Sequence, residues 1–95
     1  MSKPFDMELF LAGILTGSFA TRKRHIRQAK VIQTAIADRW KIPNPWNWRQ
    51  KHLVWFVRHR MGTRSDATKY YYWLTIQLLV VKLGKKWFVR NGAYP

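Results

Sequence analysis

Basic side chains at helical spacing are the residues of this chain best suited to binding chemistry. A helix is predicted to start at Arg22. Successive residues of a helix are rotated by about 100°, which places Lys23, Arg27, Lys30 and Thr34 on one side of it. The opposite side is apolar and consists of Ile26, Ala29, Ile32, Ile36 and Trp40. Ammonium and guanidinium groups bind phosphate oxygens. Because no carboxylate interrupts this face before Asp38, the pattern predicts an anion-binding surface.

A second polar series lies in the segment SDATKYYYWLTIQLLVVKLGKK, residues 65–86. Its candidate binding residues, counted from the preceding arginine, are Arg64, Ser65, Thr68, Lys69, Tyr72 and Thr75. Thr68, Thr75 and Lys82 recur at seven-residue spacing and therefore share one side of a helix that is otherwise apolar. We expect this narrow polar stripe to be functional.

Aromatic and imidazole rings alternate in a third series, Trp48, His52, Trp55 and His59, flanked by Lys51 and Arg58. Spacings of four, three and four place the rings on one helix face, where they could stack on unpaired bases. The alternative is that both tryptophans pack against the first helix or the tail, since a small domain needs such bulk.

The chain has few residues that are suited to catalysis or to metal binding. The chain has only four carboxylates and no cysteine, and no Ser-His-acid set is brought together by the helical pattern. His52 and His59 are seven residues apart, about 10 Å along a helix, which is too far to share a metal ion. We therefore expect a non-catalytic protein without cofactor or metal.

The charge balance points to a polyanionic partner. The chain of 95 residues carries 18 Lys and Arg against 4 Asp and Glu, a net charge of +14. Residues 1–21 carry one base against two acids, whereas residues 22–95 carry seventeen bases against two acids. Self-repulsion on this scale destabilises a compact domain, so nucleic acid is the expected partner, with an anionic membrane surface second.

Membrane insertion and export are not predicted. The longest nearly apolar run, residues 70–81, is shorter than the roughly 20 residues that span a bilayer, and residues 1–16 do not resemble a signal peptide. The lack of cysteine is consistent with a reducing compartment, and the bacterial cytoplasm or nucleoid is the expected location.

Helix start and stop signals predict an all-α protein, a compact four-helix bundle forming one domain over residues 1–95. The predicted helices cover about residues 5–15, 22–40, 48–61 and 66–84, followed by a tail at 87–95. Thr21, then Asn44 or Asn47, then Ser65 are the expected N-caps, and Gly84 the expected stop. The first helix, which is acidic, should pack away from any polyanion. The fourth should be a central post surrounded by the others, with Leu74 and Leu78 inside.

Three segments together resemble the core-binding, SAM-like domain of the tyrosine recombinases, the amino-terminal domain of phage-type integrases. They are Ala20-Thr21-Arg22-Lys23-Arg24, Lys51-His52-Leu53-Val54-Trp55-Phe56-Val57, and Ser65-Asp66-Ala67-Thr68-Lys69-Tyr70-Tyr71-Tyr72-Trp73-Leu74. The resemblance implies a four-helix fold whose second and fourth helices lie over DNA. By position it implies DNA contacts from two sets, Arg22, Lys23, Arg27, Lys30 and Thr34, and Ser65, Thr68, Lys69, Tyr72 and Thr75.

The catalytic half of a recombinase has no counterpart here. No histidine is followed by an arginine at the third position, so strand cleavage by Tyr70, Tyr71 or Tyr72 is not expected. The leading hypothesis is a free-standing duplex-DNA-binding protein, a regulator or accessory factor of a mobile element, in which Arg27 or Arg64 could read guanine.

Two alternatives stay open. One is an RNA or single-strand binder that uses the Trp/His series. The other is a basic helical adaptor that binds an acidic protein through Trp46, Trp87 and Phe88. The oligomeric state is not determined by the sequence.

Overall fold

The computed structural model describes residues 5–88 and contains four α-helices in that range: α1 Met7–Leu11, α2 Phe19–Trp40, α3 Gln50–Arg60 and α4 Asp66–Leu83. A short 3-10 helix, Pro45–Asn47, precedes α3. The described part of the chain has no strand. The predicted all-α class and the small four-helix bundle are confirmed. The tail from residue 89 onward lies outside the described residues.

The ends of α2 and α4 follow from capping chemistry. Ser65 Oγ accepts a hydrogen bond from the Thr68 N–H (3.2 Å), and Gly84 ends α4 with a left-handed φ of 70°, both as predicted. At α2, however, the cap is Ser18 and not Thr21, because Ser18 is extended and its Oγ accepts from the Thr21 N–H (3.1 Å). The helix therefore begins three residues earlier and includes Phe19.

The other two helices are shorter than predicted. Asp6 caps α1 by accepting from the Leu9 N–H (3.0 Å), and turns at residues 12–14 end the helix well before residue 15. Asn44 caps the 3-10 helix and not α3, by accepting from the Trp46 N–H (2.9 Å), and Trp48 and Arg49 are both extended, so α3 starts at Gln50. Its first turn is closed instead by His52, whose Nδ1 accepts from the Arg49 N–H (2.9 Å).

The core lies where all four helices meet. Its fully buried side chains come from every helix: Met7, Leu11, Ile32, Ile36, Leu53, Phe56, Ile76 and Leu79. The predicted apolar face of α2 is thus confirmed at Ala29, Ile32 and Ile36, while Ile26 and Trp40 are only half-buried at its edges.

The prediction that α4 is surrounded on all sides is wrong. Leu79 and Ile76 are fully buried, but Leu74 and Leu78 are half-buried and Val81 is 66% exposed. The reason is the small number of elements: α4 packs mainly against α2 and the five-residue α1, which leaves one side of an apolar helix uncovered.

Leu79→Ala and Leu78→Ala form a matched pair that tests this arrangement. Leu79→Ala should lower the free energy of unfolding by about 2–5 kcal/mol, because it leaves a cavity among fully packed side chains. Leu78→Ala should cost clearly less, since solvent already reaches that side chain. Urea unfolding followed by tryptophan fluorescence measures both, and equal losses would contradict the burial described here.

Candidate nucleic-acid interface

One exposed surface of α2 carries the predicted anion-binding residues. We call it the basic face, formed by Arg22, Lys23, Arg27, Lys30 and Thr34. All five side chains are exposed, and the buried positions of the same helix, such as Ala29, Ile32 and Ile36, lie on its other side. The prediction from sequence that these residues share one side of the helix is therefore confirmed, and that side faces the solvent.

A groove of about 570 Å³ runs beside the basic face. Arg22, Lys23, Arg27 and Lys30 line one side, and the remaining lining residues are Glu8, Ala12, Leu15, Phe19 and Ile26. The first helix thus borders the basic face, which corrects the expectation that it packs far from a polyanion. The cause is that α1 packs against α2, with only a short connection between the two helices.

Phe19 is a member of this groove that sequence reasoning missed. Its side chain is 67% exposed, and Lys23 Nζ lies 5.2 Å from the centre of its ring. Recognising Ser18 as the N-cap of α2 would have predicted this position of Phe19 from the sequence. A helix starting after Ser18 places Phe19 one turn before Lys23, on the same side of α2.

A buried hydrogen-bond network sets the rotation of α2 about its axis. Thr75 is fully buried on α4; its hydroxyl donates to Gln28 Oε1 (2.8 Å) and accepts from His25 Nδ1–H (2.8 Å). His25 therefore points inward from α2. Lys23 lies two residues before His25 and Arg27 two residues after it, so each is about 200° around the helix axis from His25. Because His25 is buried, both cations face the solvent.

This burial overturns the assignment of Thr75 to the DNA-contacting set. The seven-residue spacing correctly grouped Thr75 with Thr68, but at the level of Thr75 that side of α4 faces α2. A threonine at 0% exposure that already bonds two side chains cannot reach a phosphate.

The environment of His25 keeps its ring uncharged. Burial lowers the pKa of His25 below its ordinary value, and the neighbouring positive charge of Arg24 lowers it further. Arg24 itself is half-buried, with its guanidinium carbon 4.2 Å from the centre of the Tyr71 ring and its Nε buried without a hydrogen-bond partner. Its stacking links α2 to the first half of α4.

The α4 side chains that were predicted to contact DNA differ in how accessible they are to a partner. Arg64 and Ser65 are exposed, and Thr68 and Lys69 are half-buried. Ser65 and Thr68 bond to each other through their hydroxyls (3.0 Å), so both already serve the helix cap. Tyr72 is half-buried with its ring 5.8 Å from that of Phe56, which limits its reach to the solvent.

The Trp/His series does not form a stacking platform. Trp48 and His52 are buried, at 3% and 2% exposure. Trp40 lies against His52 (4.7 Å between ring centres) and against Trp55 (4.9 Å), so α2 covers most of this face, and only His59 is exposed. The expectation that the tryptophans pack within the protein is confirmed, because a core of this size needs those rings, but the ring that Trp55 meets belongs to Trp40 of α2 and not to the first helix or the tail.

The proposed anchors of an adaptor are also partly occupied. Trp46 is 53% exposed but meets Phe10 edge-on (5.2 Å), and Phe88 packs on Trp73 (5.2 Å) with Trp87 half-buried beside the core.

Among residues 5–88, no helix combines the length and apolarity that crossing a membrane needs. Over the same range, no three His, Asp or Glu side chains gather as a metal site.

Comparison of this chain with protein-family models, with curated proteins and with solved structures gives no match. The resemblance to the core-binding domain of tyrosine recombinases therefore stays a prediction from three sequence segments. The properties of the chain have to be argued from its own residues.

Thr75→Val tests the buried network. Valine keeps the shape of threonine but removes the hydroxyl, which leaves His25 and Gln28 without their partner, so the free energy of unfolding should fall by about 1–3 kcal/mol. Thr34→Val, the same change at an exposed position of α2, is the control and should have little effect. Equal small effects of the two changes would contradict the network.

Proposed function

We propose that this protein binds duplex DNA through the basic face of α2 and performs no chemistry on it. The observation that carries the proposal is the exposure of Arg22, Lys23, Arg27 and Lys30 on one side of a single helix. Four cations along a rigid helix can each approach a different phosphate of one backbone. The net charge of +14 favours the same partner.

Counterion release would supply most of the affinity. If each of the four cations of the basic face neutralises one phosphate, log K should fall with log salt at a slope of about −3.6. Phosphate contacts carry no sequence information, so the contribution of this face should be uniform across sequences.

The proposal also includes a second set of groups at the beginning of α4, which the sequence assigns to the same partner. Arg64 is exposed there and is the better candidate for reading guanine, because it lies outside the regular row of cations on α2. Lys69 is half-buried but retains its ammonium group for a phosphate. Thr75 has no part in this surface, since it lies in the core.

The resemblance to a recombinase core-binding domain supports the use of these two helices. It extends the proposal to a biological role, in which a free-standing module occupies recombinase-type sites as a regulator or accessory factor of a mobile element. A location in the bacterial cytoplasm or nucleoid belongs to the same proposal.

Single-stranded nucleic acid is a second candidate, favoured by one observation. Phe19 is 67% exposed in a groove rimmed by four cations, which is a suitable place for one unpaired base to stack. Under this candidate Phe19→Leu would weaken binding of single strands and leave binding of duplex unchanged.

Two double variants test the duplex proposal with the charge change held equal. Arg27→Ala/Lys30→Ala removes two cations from the basic face and should weaken duplex binding about tenfold at ~0.1 M salt, reducing the salt slope by about 1.8. Lys51→Ala/Arg58→Ala removes two exposed cations from α3 and should have a much smaller effect. Fluorescence anisotropy of a labelled duplex measures both.

Thermal unfolding of the same proteins is the control for folding, and neither variant should change it appreciably, because all four side chains are exposed. If the two double variants weaken binding equally, the affinity reflects net charge alone and the basic face is not the site.

A further inference from the structure

The uncovered side of α4 forms a continuous surface without charge. We call it the α4 seam, formed by Ala67, Tyr70, Leu74, Gln77, Leu78 and Val81. Its members recur at spacings of three and four residues, which is the pattern of a helix that packs against another helix. Tyr70 is 58% exposed and Val81 is 66% exposed, so both ends of the seam face the solvent, while Leu74, Gln77 and Leu78 between them are half-buried.

A hollow of about 320 Å³ opens on the carboxyl-terminal half of the seam. Its lining combines apolar and polar groups: Thr16, His25, Leu74, Gln77, Leu78 and Val81. His25 Nδ1 is already bonded to Thr75, which leaves Nε2 as an acceptor because the lowered pKa keeps the ring neutral. The hollow therefore suits a side chain with an apolar ring and a hydroxyl donor.

A side chain of that kind projects from the other half of the same seam. Tyr70 is 58% exposed, although one edge of its environment is the ring of Tyr71, 5.6 Å away between ring centres and itself held under the guanidinium of Arg24. Tyr70 lies four residues before Leu74, and Leu78, which lines the hollow, lies four residues after it. One surface thus carries an exposed ring and a receptacle on opposite sides of its midpoint.

This arrangement is self-complementary under two-fold rotation. If two copies pair their α4 helices antiparallel with Leu74 at the axis, Tyr70 of each copy lies opposite Leu78 of the other, and Ala67 lies opposite Val81. Each projecting tyrosine then meets the hollow of the second copy. A parallel pairing would instead place tyrosine against tyrosine and leave both hollows unfilled.

We propose that the α4 seam is the interface of a symmetric homodimer with antiparallel α4 helices. Two copies of net charge +14 repel each other, so a second copy can be accommodated only at a surface that carries no charge, and the α4 seam is such a surface. The seam is about 21 Å long from Ala67 to Val81, which places the interface among the small ones. The dimer should therefore dissociate on dilution. This proposal does not rest on DNA binding.

Sedimentation equilibrium at about 0.3 M salt, where charge repulsion is screened, measures the assembly directly. The average mass of the wild-type protein should rise with concentration from 11.4 kDa toward twice that value. Tyr70→Asp/Val81→Asp should remain a monomer. Leu9→Asp places a charge at another exposed apolar position, 73% exposed on α1, and should leave dimerisation unchanged. A wild-type protein that stays monomeric at millimolar concentration overturns the proposal.

Disulfide trapping tests the orientation, and the chain is well suited to it because it contains no cysteine. Under mild oxidation, Leu74→Cys should cross-link at the axis, and a mixture of Ala67→Cys with Val81→Cys should give mainly the mixed dimer. Thr63→Cys, exposed in the connection between α3 and α4, is the control and should cross-link poorly. Cross-linking of Val81→Cys chiefly with itself, or of Thr63→Cys as readily as Leu74→Cys, contradicts the antiparallel pair.

Discussion

The hydroxyl of Thr75 is the point at which the two longest helices are held in register. It is buried at 0% exposure and must be bonded, because an unpaired buried polar group costs about 1–3 kcal/mol. Only a particular rotation of α2 brings both His25 and Gln28 to it. That rotation in turn directs Lys23 and Arg27 away from the core, so a neutral buried contact decides where the cationic surface faces.

The excess of positive charge explains how the remaining surfaces are divided. Two faces of the molecule differ strongly in character: the basic face of α2 carries four cations, and the α4 seam carries none. The first is suited to a polyanion, and the second allows contact between molecules that otherwise repel each other. Arg24 of α2 stacks on Tyr71 of α4 and so joins the two helices that bear these surfaces.

Much of the fold follows from the sequence, because local signals and core packing agree in most of the chain. The apolar face of α2 and both ends of α4 were predictable from periodicity and capping. The start of α2 was not, since Ser18 and Thr21 are both good caps and only the observed hydrogen bond distinguishes them. Spacing grouped Thr75 with Thr68 but could not tell that at Thr75 their common side meets α2. Likewise the burial of His52 depends on packing against Trp40 of α2, which the spacing within α3 does not reveal.

Binding of duplex DNA by the basic face can be measured through the salt dependence of wild-type binding. Anisotropy of labelled duplex and of the matching single strand, from about 50 to 300 mM salt, gives affinity and slope together. Duplex should bind more tightly than the single strand at every salt concentration, with a slope of about −3.6 or steeper. Equal weak binding of both strand forms, lost by about 150 mM, would contradict the proposal.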